Sequence, residues 1–218
     1  MIFFDIDGTL LDSAERHAEL LLRLLRRESV PVPRDCGAEY LRYKADGNNT
    51  RSFLKNRLRL DEKTAERLSV EWRTRIEDEE LLDMDRLYDD ALPTLEAFAS
   101  MGVEVRFLSS RTKPDSLRAE LLRLGIARYA AEIHVVNPLD GAHAKIPVIE
   151  RVLKIRPGAR AWIVGDTEAD YYPAKELALP CYLLHRGFRS RTYWEKIGQP
   201  THSDLRDLPP MFRKEGNK

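Results

Sequence analysis

Cysteine is nearly absent: Cys36 and Cys181 are the two in 218 residues. They lie far apart without a C-x-x-C spacing. They could pair, but two free, partly buried thiols in a reducing compartment is the expectation. No run of about 18 apolar residues occurs, so no membrane span is expected. No basic segment precedes the N-terminal apolar run, which argues against a secretory signal, and a cytoplasmic location is expected. Net charge of one sign is missing too. The 36 Lys and Arg residues balance 36 Asp and Glu, so charge indicates neither a nucleic-acid nor a membrane partner. What is present, 43% hydrophobic and 33% charged residues, suits one large or two small globular domains with a real core.

Ile2-Phe3-Phe4 is a short apolar run that stops at Asp5, and Asp7-Gly8-Thr9 reads as a loop. The pattern is that of a buried strand ending at polar chemistry. Helical spacing then runs over 14–27, with Leu20, Leu21, Leu24 and Leu25 on one face and Ser13 as N-cap. It continues over 39–44, 51–59 and 61–82, and strand signals are missing throughout. After Leu92 the pattern alternates: helix 93–101, strand 103–108, helix 114–124, strand 133–136, helix 146–154, strand 161–164, helix 168–177 and strand 181–184. This predicts an α/β fold, a Rossmann-like three-layer core with a parallel sheet. Residues 1–13 and 89–208 would form that core, 14–88 a small all-helical cap inserted after the first strand, and 209–218 a flexible tail. Asp12–Ser13 and Tyr88–Ala91 would be the hinges.

Parallel sheets bind ligands at the carboxyl ends of their strands. Polar clusters follow three of the predicted strands: Asp5 and Asp7, Ser109 and Ser110, and Asp166 with Asp170. Lys145 opens the helix before the last of these. If all four converge, several carboxylates share one pocket. Unit charges about 4 Å apart repel by about 4 kcal/mol at an effective dielectric near 20. A hard divalent cation resolves the conflict, and Mg²⁺ suits best.

Asp5-Ile6-Asp7-Gly8-Thr9-Leu10-Leu11-Asp12-Ser13 resembles the opening motif of the haloacid dehalogenase-like phosphatases. Ser109, Lys145 and Gly165-Asp166-Thr167-Glu168-Ala169-Asp170 match that superfamily's remaining motifs in order. The helical insertion resembles the cap of the phosphoglycolate phosphatase and β-phosphoglucomutase subgroup, and the likeness runs from Met1 to about Leu184. It implies Asp5 as nucleophile, Asp7 as general acid and base with a raised pKa, and Lys145 as the residue orienting both nucleophile and phosphate. It implies phosphate binding by Ser109, Ser110, Gly8 and Lys145, and Mg²⁺ ligation by Asp5, the Asp7 carbonyl and Asp166, with Asp170 in support. Arg111 or Thr112 competes with Ser109 for its role, and Lys154 with Lys145.

In the insertion, the turn-rich stretch 46–51 resembles the family's substrate-reading loop. That makes Asn49, Arg51 and Lys44 candidate specificity residues. His134, His143 and Trp162 lack ligand spacing and read as structural. The implied activity is Mg²⁺-dependent hydrolysis of a small phosphorylated metabolite by a monomer or homodimer. A phosphomutase or phosphotransferase on the same core, or a non-catalytic phosphate-binding regulator, are the alternatives. No nucleic-acid partner is expected.

Overall fold

The computed structural model of the chain describes residues 1–216. Five parallel strands form one sheet in the order β5-β4-β1-β6-β7. They are β1 (Ile2–Phe4), β4 (Val105–Ser110), β5 (Ala130–Val136), β6 (Trp162–Gly165) and β7 (Cys181–Leu183). The central strand, β1, is in register with β4 at Ile2↔Val105 and with β6 at Ile2↔Trp162. Its side chains alternate between two cores, as the period of a strand requires. Ile2 and Phe4 pack with Phe98, Phe107 and Trp162 on one face, and Phe3 packs with Leu108, Ile149 and Ile163 on the other. Helices cover both faces. Each fully buried Phe or Leu there contributes on the order of 2 kcal/mol.

Arg106, the charged residue within β4, reaches sideways to Glu104 and to Glu132 on edge strand β5.

Between β1 and β4 lies the helical segment: α1 (Ala14–Arg27), α2 (Cys36–Ala45), α3 (Thr50–Asn56), α4 (Glu62–Arg75) and α5 (Glu79–Leu82). It has its own apolar cluster, in which Leu20, Leu21, Leu24 and Leu25 meet Tyr40, Phe53, Leu68 and Trp72. Its two stems, β2 (Leu11–Asp12) and β3 (Arg86–Leu87), pair antiparallel, a strand pair the sequence did not signal. The helix expected over 61–82 is two. Between α4 and α5 the chain turns so that Glu77 accepts hydrogen bonds from the backbone of Thr112 and Lys113.

Helices α6 (Ala91–Ser100), α7 (Pro114–Arg123), α8 (Ile146–Ile155) and α9 (Glu168–Glu176) alternate with the later strands, and α10 (Arg191–Ile197) follows β7. The tail corrects the expectation of flexibility. Residues Leu208–Gly216 form α11, where Leu208 is buried and the Phe212 ring meets Phe98 and Trp162; 217–218 lie outside the described residues. Proline at 209 and 210 sits in the first turn, where no amide donor is needed. Cys36 and Cys181 are free thiols. Among the described residues, no helix is long and apolar enough to cross a membrane.

Candidate active site

Asp5 directly follows β1, and its N–H donates to Val164 O on β6 at 2.8 Å, which locks the end of the central strand. Asp166 directly follows β6. Asp170 sits in the first turn of α9, where its Oδ2 accepts the Thr167 N–H and hydroxyl at 3.2 Å. The ligand atoms of Asp5, Asp166 and Asp170 lie within 4.8 Å of one another. Lys145, at the start of α8, places Nζ 2.6 Å from both Asp5 Oδ1 and Asp170 Oδ1. All four side chains are buried.

Three carboxylates against one ammonium leave two negative charges without a counter-ion. Burial pushes the Asp5 carboxyl up to about 7, with Lys145 pulling the other way. Burial, then Asp5 and Asp170, drive Asp166 well above the carboxylate range. An oxygen-rich, buried cluster with too little positive charge for its carboxyl groups to ionise together fits a hard divalent cation.

Gly8 is strained for any other residue: its φ is +77°, and a Cβ there would overlap the Asp166 carboxylate. The close approach that requires glycine is therefore to Asp166. The Gly8 N–H donates to Leu11 O at 2.7 Å, so it is not free for a phosphate, contrary to the sequence expectation. A Cβ on Gly165 would likewise collide with Asp170.

Ser109 ends up 1% exposed near the end of β4, and its Oγ has no hydrogen-bond partner among the described residues. A buried hydroxyl left unpaired costs roughly 1–3 kcal/mol, which a ligand oxygen would recover. Ser110 and Arg111 line the same cavity as Asp5, Asp7, Ser109 and Lys145.

Asp7 departs from expectation. Its carboxylate faces Arg111, whose Nε and Nη2 donate to Oδ2 and Oδ1 at 2.7 and 2.8 Å, and it also pairs with Arg16. Burial acts to raise its pKa, but Arg111 and Arg16 outweigh that and hold it well below the usual range. Arg111 also donates to the buried Glu120 at 2.6 Å. Arg16 donates to Ile76 O at 3.0 Å, and its Nε lies 3.0 Å from Asp85 Oδ1 out of line for a hydrogen bond.

Sequence reading missed Arg16, Asp85 and Glu120, and named Arg111 only as a substitute for Ser109. One signal was available. The apolar stripe of α1 runs back through positions 20 and 21 to Arg16 and His17, two polar residues on a buried face.

Of the three specificity candidates, only Lys44 lines the cavity. Its Nζ is 2.7 Å from His17 Nδ1 and lies 4.8 and 4.5 Å from the ring centres of Trp72 and Phe188. It has no ion-pair partner among the described residues. Arg51 corrects its expectation: it is exposed and paired with Glu62 and Glu66 on α4. Asn49 caps α3 by accepting the Ser52 N–H at 2.8 Å. Neither lines the cavity. His134 packs near Arg106 and Glu132, His143 stacks on Tyr172, and Trp162 is in the core.

Carboxylates and a lysine gathered at the strand ends of an open parallel sheet, beside a helical insertion, define a phosphoryl-transfer type of enzyme. The chain belongs to the haloacid dehalogenase-like hydrolase family, whose model matches residues 1–177, and it is a phosphatase of that family. It is 29% identical over 222 residues to a phosphoglycolate phosphatase of Pseudomonas fluorescens, covering 96% of this chain and 78% of that protein. Among solved structures it resembles a haloacid dehalogenase-like family protein from Streptococcus pneumoniae (TM-score 0.74, 20% identity, 97% of each chain). It also resembles protein tyrosine kinase A of Mycobacterium tuberculosis (TM-score 0.70, 21% identity, 96% of each chain). At such identities these two likenesses describe the fold alone.

Proposed function

We propose that the protein is a Mg²⁺-dependent phosphomonoesterase that hydrolyses a small phosphorylated metabolite through an aspartyl-phosphate on Asp5, in the cytoplasm. The observation that carries this reading is the uncompensated carboxylate cluster at Asp5, Asp166 and Asp170 with Lys145 bridging two of them. Asp5, Asp166 and the Asp7 carbonyl would hold the cation, with Asp170 in support. When bound, it would neutralise the carboxylates so that a phosphate dianion can approach.

The chain's own residues do the rest. Asp5 attacks phosphorus and the bond to the leaving oxygen breaks, while Lys145 keeps the attacking carboxylate aimed. The Ser109 hydroxyl, with Ser110 beside it, takes up a phosphate oxygen. Arg111 is shared. An incoming phosphate competes with Asp7 for its guanidinium; Asp7, released, takes up a proton from solvent, gives it to the leaving oxygen, and then takes one from the water that attacks phosphorus and breaks its bond to Asp5. Lys44 reaches the leaving group, which Asn49 and Arg51 do not.

Phosphoglycolate is the first natural ester to assay, because the Pseudomonas relative carries that name. The test is hydrolysis of 4-nitrophenyl phosphate with Mg²⁺. Activity should vanish in chelator and fall on the order of 10³-fold or more in Asp5→Asn. Full activity in either condition refutes the reading.

A further inference from the structure

Granting the phosphatase reading of the acidic end, the remainder of the cavity describes the alcohol that leaves. We infer that the substrate is a phosphomonoester whose leaving alcohol carries an aromatic or heteroaromatic ring, and not a two-carbon acid. The observation is a large cavity, lined in part by aromatic rings, that persists with the helical segment docked on the sheet.

Docking is visible on two sides. Ser190 N–H donates to Ala45 O at 2.8 Å and Arg189 Nη1 to Lys44 O at 3.1 Å. On the other side, Thr112 and Lys113 donate backbone N–H groups to Glu77 at 2.7 and 2.8 Å. The space between is therefore not that of a lifted cap.

It measures about 670 Å³. Phosphoglycolate has about nine non-hydrogen atoms; at the roughly 30 Å³ that a water molecule takes in the liquid, it would fill about 270 Å³. More than half would be left to water.

Three rings line part of that space, among polar neighbours. His17 stacks on Phe188 with centroids 4.3 Å apart and meets Trp72 edge-on at 5.0 Å. All three line the cavity, with Ile76 beside them. At the mouth stand Val70, from α4, and Leu139, just after β5, exposed by 45% and 70%. Two large apolar side chains from opposite layers thus face water at the rim of one cavity. Water is a poor filler for such a surface, and a planar ring is a good one. Lys44, whose nearest polar partner is His17, supplies a cation at the ring's edge. The basic residues nearer the rim are engaged elsewhere, Arg73 with Ser69 and Lys113 with Asp78.

The test uses the full chain with Mg²⁺. Calorimetry compares benzylphosphonate with phosphonoacetate, which bind without being hydrolysed. Assays of kcat/KM compare benzyl phosphate and pyridoxine 5′-phosphate with phosphoglycolate. All three are esters of primary alcohols, so leaving-group class is matched. The expected result is a preference of roughly tenfold or more for the ring compounds in both measurements. Val70→Asp and Leu139→Asp, at exposed positions that tolerate a carboxylate, should each narrow that ratio by about threefold or more.

Phosphonoacetate binding as tightly as benzylphosphonate, or neither binding, overturns the inference even if esters are hydrolysed. Selective binding of benzylphosphonate with no turnover of any ester upholds it and refutes the phosphatase reading instead.

Discussion

Asp5 and Asp7 stand two residues apart, and their surroundings pull them in opposite directions. Asp5 is buried with two further carboxylates and one lysine, and burial raises its pKa to about 7. Asp7 is only half-buried, and it faces the guanidinium groups of Arg111 and Arg16, which hold it ionised. Asp5 shares a single lysine with Asp170, whereas Asp7 faces two guanidinium groups directly. The same side chain is thereby fitted to collect a cation at one position and to compete with an anion at the other.

Lys145→Met should break the first half of this comparison most severely. It strips the ammonium that bridges Asp5 and Asp170, and breaking a buried pair in this way costs about 3–5 kcal/mol. Urea unfolding in chelator should show that loss, and Mg²⁺ should recover part of it. Stability equal to wild type in chelator would mean that the carboxylates are already neutral there.

Arg111→Met attacks the second half. Activity on 4-nitrophenyl phosphate should fall on the order of 10²-fold, and Arg111→Lys, which keeps the charge but loses the fork, should fall roughly tenfold. Unchanged activity in both would reduce Arg111 to packing.

A smaller effect concerns Lys44, whose ammonium burial pushes down from 10.5 to about 7. Between those values the unfolded chain holds a proton that the folded chain lacks, so raising the pH favours folding. The penalty for the buried charge is complete below about pH 7 and is relieved towards 10.5. Lys44→Met should therefore gain most in Tm over wild type below pH 7, with the gain shrinking as alkali is added; a pH-independent difference would contradict this. Least of all, Arg51→Ala should change stability by under about 0.5 kcal/mol and kcat/KM by under about twofold, since exposed ion pairs contribute little.

The acidic half was legible because Asp5, Ser109 and Asp166 sit where apolar strands end, and Lys145 and Asp170 open the helices beside them, so a one-dimensional pattern located them at a single rim. The arginine half was not. Arg16 and Asp85 come from opposite ends of the helical segment and meet only because the stems Leu11–Asp12 and Arg86–Leu87 pair. Short polar elements were also hidden. Helix α10 is only seven residues long and α11 opens Leu208-Pro209-Pro210, whose prolines read as the start of a tail; Trp194, Leu208 and Phe212 fix them against the core. Arg51 misled because a turn-rich loop looks the same whether it faces a cavity or, as here, caps a helix whose next residues pair with α4.

The most direct test is to mix the protein with Mg²⁺ and 4-nitrophenyl phosphate, quench in acid within the first turnovers, and map the adduct by mass spectrometry. One phosphoryl group on the peptide bearing Asp5, absent from Asp5→Asn, is the predicted result. Sustained hydrolysis with that peptide unmodified throughout, or a phosphoryl group on any other residue, would contradict the account.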